Sequence, residues 1–202
     1  VEELPMKALR IMLLGLLLAL ALCPPADAAV RWEIDPPHCY VGFYVKHILA
    51  PVQGVFNRFT GDIIFDPDNL ATSRVDVTID VASLDTRNAQ RNAHLMTDEF
   101  FDVAKFPRMR FVSKSIEALG PGKFVAHGAL TIKDVTREID LPFTFLGQVT
   151  SPMNSSLQVA GFMARLSLDR LEYGVGNGKY YHMGVVGKDV EIVINLELTR
   201  VK

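Results

Sequence analysis

The feature that most constrains this chain is strict two-residue alternation. Arg74 to Val81 reads RVDVTIDV, with Val75, Val77, Ile79 and Val81 on one side and Asp76, Thr78 and Asp80 on the other. Asp189 to Arg200 repeats the pattern with Val190, Ile192, Ile194, Leu196 and Leu198. Such segments bury one face and wet the other, which is the habit of antiparallel sheets. Eight segments read this way: Trp32–Lys46, Gly61–Phe65, Arg74–Val81, Met109–Glu117, Lys123–Ile132, Glu138–Val149, Leu157–Asp169 and Asp189–Arg200. Turn signals separate several of them: Asp66-Pro67-Asp68-Asn69, Gly120-Pro121-Gly122, Ser151-Pro152-Met153-Asn154 and the glycines at 174, 176 and 178. With no βαβ rhythm, eight amphipathic strands close most economically into an all-β, eight-stranded antiparallel barrel able to hold one small ligand. A two-layer sandwich fits the same alternation.

One stretch departs from the pattern. Ser83 to Phe111 holds the single helical candidate, Arg87–Met96, with Thr86 as its expected N-cap and a second turn near Thr97. It therefore reads as a short helical lid inserted across one end of the barrel. Arg91 and His94 share a helix face there, and Phe100, Phe101 and Phe106 follow closely. A ligand with a polar end and an apolar body suits that juxtaposition.

The N-terminus reads as a secretory signal peptide over residues 1–28, leaving a single domain over 29–202. A basic segment from Met6 to Arg10 precedes apolar sequence from Ile11 to Leu22, and Ala26-Asp27-Ala28 supplies small residues for cleavage. The apolar run is far shorter than the roughly 20 residues a spanning helix needs. Residues 1–5 stand upstream of a natural start at Met6. Cys23 outlines a lipoprotein site, but Leu22 is too large for the position before a lipid-modified cysteine. The expected location is the periplasm.

Charge and composition exclude several classes. A formal net charge of −2 gives no footprint for nucleic acid. Only Cys39 remains after residue 28, so an internal disulfide is excluded, and its register with Val41 and Phe43 predicts a buried, inert thiol. The five histidines, at 38, 47, 94, 127 and 182, lack metal-ligand spacing and are expected to make ordinary hydrogen bonds. There is no G-x-S-x-G elbow, and the glycines at 174–178 precede what reads as another strand instead of a helix. The chain is read as a non-enzyme without cofactor or metal. The rival reading is a small hydrolase using His94 with Asp98 or Asp102 as general base, and a packed structural barrel is a third.

Twelve phenylalanines against five tyrosines and one tryptophan favour rings without a polar handle, and Phe43, Phe65, Phe111, Phe143, Phe145 and Phe162 fall on the inward register. A packed core and a lined cavity need the same residues. If hollow, the interior is expected to be lined by Val41, Phe43, Val45, Phe56, Phe65, Val77, Ile79, Phe100, Phe101, Phe106, Phe111, Leu130, Ile132, Phe143, Phe145 and Phe162.

Several segments in order resemble the YceI-like polyisoprenoid-binding family: His38 to His47 (HCYVGFYVKH), Val52 to Phe56 with Phe59-Thr60-Gly61, Arg91 to Leu95 with Phe100-Phe101-Asp102 and Phe106-Pro107, Gly128 to Ile132, and Phe162 through Arg170 to Tyr173-Gly174. The family usually has Ser at Cys39, Asp at Asn92, Gly at Asp134 and Asn at Asp169. The resemblance implies a lipocalin-like barrel whose interior takes the tail of a long isoprenoid, a polyprenyl phosphate or an isoprenoid quinone, and so a carrier or sequestering protein. Arg91 and His94 are the expected contacts to the polar head. Beyond the lipid, the expected partners are a membrane touched transiently, a membrane cytochrome and a second copy of the chain.

Overall fold

The computed structural model describes residues 29–202, so the expected signal peptide lies outside the described residues. The strands are β1 (Arg31–Ile34), β2 (Tyr40–His47), β3 (Ala50–Phe56), β4 (Phe59–Ile64), β5 (Arg74–Asp80), β6 (Leu84–Asp85), β7 (Arg108–Gly120), β8 (Lys123–Ile132), β9 (Val135–Thr150), β10 (Leu157–Asp169) and β11 (Val186–Val201). All pair antiparallel.

These short pieces reduce to eight barrel strands because the first three are each broken once. The segment expected to run unbroken from Trp32 to Lys46 stops at Pro36–His38, one turn of 3-10 helix. Pro36 and Pro37 have no N–H to give to a ladder, so continuous pairing fails there. β11 pairs with both halves, Ile34↔Leu198 on β1 and Tyr40↔Asn195 on β2. β3 and β4 form the second broken strand, parted at Asn57-Arg58, and β5 and β6 the third, parted by the turn Val81–Ser83. β3 was not among the expected strands. Pro51 and Gly54 interrupt its alternation, yet it pairs with β2 along its length, Val45↔Val52 to Gly42↔Val55.

The eight strands run up and down in chain order, and β11 closes the ring against β1 and β2. The fold is thus a closed eight-stranded antiparallel barrel, as the alternation predicts. β11 has 16 residues and spans roughly 50 Å of chain at 3.3 Å per residue, so the barrel is tall.

Two apolar clusters divide the interior. At one end Phe65 sits among Phe124, Phe143, Phe145 and Phe162, with ring centroids 5.2, 5.6, 5.4 and 5.3 Å away. Trp32 closes this end and donates its indole N–H to the carbonyl of Phe65 at 2.9 Å. At the other end Phe43, Phe56, Val81, Leu84, Phe100, Phe101, Met109, Tyr173 and Val175 pack together.

That second end has an incomplete wall. β5 pairs with β7 from Asp76↔Val112 to Asp80↔Arg108, but β6 pairs only with β3. Among the described residues no ladder joins β6 to β7. The gap is filled by the intervening segment, which begins with helix α1 (Ala89–Met96) and continues through Phe100 and Phe101.

Candidate functional site: a hydrocarbon cavity under a lid

Between the two clusters the barrel is hollow, with a cavity of about 270 Å³. Of the residues expected to line it, Val41, Phe43, Val45, Phe56, Phe65, Val77, Ile79, Phe100, Phe101, Phe111, Leu130, Ile132, Phe143 and Phe162 do so. Several inward side chains, among them Val77, Leu130 and Leu196, stay only partly buried, which a filled core would not leave.

Phe145 and Phe106 do not reach the space. Phe145 packs against Phe65 and Phe162 in the ring cluster at the closed end. Phe106 instead lies beneath the ammonium of Lys133, 5.9 Å from its ring centre. The far wall, missing from the expected lining, comes from Leu166 and Leu168 on β10 and Val190, Ile192, Ile194 and Leu196 on β11. The period-two register of those strands was the signal that carries them. Tyr173, Val175 and Leu95 also line it, from loops and helix that carry no such signal.

Arg170 is the buried cation at this wall, 8% exposed. Its Nε donates to Gly187 O at 2.8 Å, Nη1 to Val175 O at 2.6 Å and Nη2 to Val186 O at 3.4 Å. The adjacent carboxylate, Asp169, is held by Lys188 at 2.9 Å and by the N–H of Leu171. Burial pulls the Arg170 pKa down, with the Asp169 charge opposing. The guanidinium is therefore committed to three main-chain carbonyls and braces the loop after β10. Gly176 lies directly over it: a Cβ there would fall 2.3 Å from Nη1, and the backbone is left-handed at φ +88°.

The lid begins later than expected. Asn88, not Thr86, caps α1, its side chain accepting from Arg91 N at 2.9 Å. Thr86, buried, is instead the partner of Arg91, whose Nε reaches Thr86 Oγ1 at 2.8 Å and whose Nη2 reaches Thr86 O at 2.6 Å. These bonds draw the Arg91 guanidinium back to the start of the lid, away from the cavity. His94 Nε2 lies 2.7 Å from Glu99 Oε2 and its ring meets Phe100 edge-on at 5.0 Å. Neither Arg91 nor His94 lines the cavity: Arg91 is bonded back to Thr86 through Nε and Nη2, and His94 stands against Glu99 and Phe100 at the mouth.

The acid–base pairing of the hydrolase reading also differs from expectation. Glu99 takes His94, while Asp102 pairs with Lys105 at 3.0 Å. Among the described residues no group of three or more His, Cys, Asp or Glu is placed to hold a metal ion. Cys39 is half-buried, its thiol donating to Glu197 O at 3.2 Å, and burial pushes its pKa up. His38 and His127 bond to Asp35 and Asp140 at 2.8 and 2.6 Å.

A polar residue with no signal in the sequence fastens the mouth. Lys133, in the β8–β9 turn, donates to Phe100 O at 2.9 Å and to Gly174 O at 2.8 Å, joining the lid to the loop after β10. That loop ends in helix α2 (Lys179–His182), one turn where a strand was expected. Gly178, left-handed at φ +85°, starts it. Tyr180 of α2 stacks on Phe100 at 6.0 Å, completing the closure.

A tall antiparallel barrel with a hydrocarbon hollow beneath a helical lid defines a class of single-cavity β-barrel proteins built to enclose an apolar molecule. Within that class, the YceI-like domain matches residues 32–198, and the chain belongs to the YceI-like family. It is 33% identical over 175 residues to UPF0312 protein VVA0736 of Vibrio vulnificus, covering 84% of this chain and 91% of that one. The crystal structure of Burkholderia cenocepacia BcnA superposes with a TM-score of 0.72 at 28% identity, over 84% of this chain and all of BcnA. A polyisoprenoid binding domain from Saccharophagus degradans, implicated in plant cell wall breakdown, shares the fold at 13% identity and a TM-score of 0.62, over 86% of this chain and 99% of that domain.

Proposed function

We propose that the protein is a periplasmic carrier or sequestering protein for one long-chain isoprenoid lipid, a polyprenyl phosphate or isoprenoid quinone, with its tail in the barrel. The carrying observation is the cavity itself, lined by hydrocarbon from every strand of the ring. Each buried CH₂-sized group gains about 0.8 kcal/mol against water, so a five-carbon isoprene unit gains roughly 3 to 4 kcal/mol before ordering costs. A membrane offers the tail the same gain, so the tail contributes little to net transfer and the head must set selectivity.

The head belongs outside the barrel. Arg170 is the buried charge at the wall and its bonds go to main-chain carbonyls, so a polar group drawn inside would lose its partners in water at a cost of a few kcal/mol. The mouth, lined by Asp98, Glu99 and Lys133 with His94 bonded to Glu99, is where a head group would meet polar protein atoms. The periplasmic part of this reading rests on the signal-like character of residues 1–28.

The test is native mass spectrometry of the protein purified from its own host without detergent, followed by organic extraction. One isoprenoid per chain, released unchanged, supports the carrier. A degraded lipid would support the hydrolase reading. Repeated absence of lipid, with none taken up from vesicles containing polyprenol, overturns the proposal.

A further inference from the structure

Beside the mouth, large apolar side chains point into solvent from two adjoining segments. Ile48 and Leu49, at the β2–β3 turn, are 54% and 89% exposed, and Tyr181 and Met183, in and after α2, are 41% and 63% exposed. The segments are joined: Ile48 N donates to Val185 O at 2.8 Å, and His47 pairs with Val186. Ile48 holds a left-handed backbone at φ 53°, a conformation disfavoured for a β-branched residue and natural to Gly or Asn. The turn thus holds an apolar group outward in a conformation that its own backbone disfavours.

The charge on the tip's own two segments has one sign. Lys46, His47, Lys179 and His182 flank it, all exposed. No acidic residue occurs from Pro36 to Gly61 or from Tyr173 to Lys188. The carboxylates that border these stretches are paired, Asp35 with His38, Asp62 with Arg31, Glu172 with Arg137 and Asp189 with Lys188; across the mouth, beside Gly176 and Asn177, stand Asp98 and Glu99, the latter bonded to His94. The tip is also continuous with the cavity, because Val45 and Val186 line it from the same segments and Tyr180 stacks on Phe100.

We propose that this tip is a membrane-docking surface, seating Leu49, Ile48, Tyr181 and Met183 in the interface of an anionic bilayer while Lys46 and Lys179 meet its head groups. Apolar side chains ringed by basic ones are the pattern that binds anionic interfaces. Docking there sets the lid against the bilayer, where an apolar ligand can pass without crossing water. That purpose rests on the carrier reading above, whereas the surface can be tested alone.

The experiment compares flotation of the protein with phosphatidylglycerol/phosphatidylethanolamine vesicles and with phosphatidylcholine vesicles. Expected is salt-sensitive flotation with the anionic vesicles, reduced about tenfold or more by Leu49→Asp with Met183→Asp, and also reduced by Lys46→Glu with Lys179→Glu. Met153→Asp, in the β9–β10 turn, is the control and should float like the parent. Uptake of a dansyl-labelled polyprenol from the vesicles should slow in the Leu49/Met183 variant, while farnesol added from solution binds as before.

Flotation unchanged in that variant, or absent in the parent, overturns the proposal. So does a dimer in sedimentation velocity that the same substitutions split, since the surface would then belong to a second copy. A parent that floats through this tip but takes up no prenyl lipid keeps the docking surface and overturns the carrier reading instead.

Discussion

Lys133 reaches across the barrel mouth to the carbonyl oxygen of Phe100, 2.9 Å away, and with its second bond to Gly174 ties the lid to the loop after β10. Lys133 itself sits in a left-handed turn at φ 56°, which asparagine tolerates. Lys133→Asn therefore removes the reach without straining the turn. Expected is faster amide exchange over residues 97–106 and 174–178 and faster ligand entry and release, with a global stability loss of about 1 kcal/mol or less. Hydrogen-exchange mass spectrometry checks it; unchanged exchange in both segments would show that the lid is held by packing alone.

The closed end and the hollow should respond oppositely to volume changes. Phe65, 2% exposed and ringed by four other phenylalanines, should cost about 3 to 5 kcal/mol when cut to alanine. Val77→Phe adds bulk where the structure has space, so stability should change by less than about 1 kcal/mol while prenyl-lipid capacity falls. Urea unfolding and lipid extraction measure the pair. A large destabilisation by Val77→Phe would mean a filled barrel.

Removing the Arg170 guanidinium leaves the carbonyls of Val175, Val186 and Gly187 without their donor. Arg170→Met should cost about 3 kcal/mol or more, since buried acceptors left unpaired lose their hydration without replacement. Arg170→Lys should recover only part of this, because an ammonium cannot span three carbonyls as a planar fork does. The urea midpoint reads both variants.

His127 faces two carboxylates on the outer wall. Its pKa is raised above 6.5, chiefly by the hydrogen bond to Asp140, with Glu117 adding to it. The raised folded value sets the sign: stability from this pair is complete below the unfolded histidine value and is lost as pH rises through the folded one. An NMR titration should place His127 above an ordinary histidine, and Asp140→Asn should return it towards 6.5. An unchanged midpoint in that variant would remove Asp140 as the cause.

Strand alternation was a sufficient guide where a strand runs through without an intervening turn, as in β7 to β11 despite register shifts at Ser113, Ala118 and Gly161, and insufficient where turns interrupt it. Pro36-Pro37 marked the break between β1 and β2 in plain view, while Pro51 and Gly54 concealed β3, whose existence depends on pairing with β2 more than on its own pattern. The lining followed the same logic. Phe111 and Phe162 were legible from register, but Phe145 obeys the register and still misses the hollow, because neighbouring rings stand in front of it. The mouth was least legible. Arg91 is turned away from it by the cap at Asn88 and the bond to Thr86, and Lys133 acts through carbonyls 33 and 41 residues distant.

The unjoined edges of β6 and β7 change what opening this barrel requires. A continuous ring admits a long chain only through its ends or by unzipping a ladder of backbone hydrogen bonds. Here the wall beside the lid contains no such ladder to break. On the carrier reading, withdrawing the segment around Phe100 and Phe101 would open a lateral doorway for a tail to enter sideways along its length. That segment is held by side-chain packing, by the Lys133 bond to Phe100 and by the bonds of Arg91 and Asn92 to Thr86 and Asp85, so on the carrier reading loading would proceed while the strands of the ring stay paired.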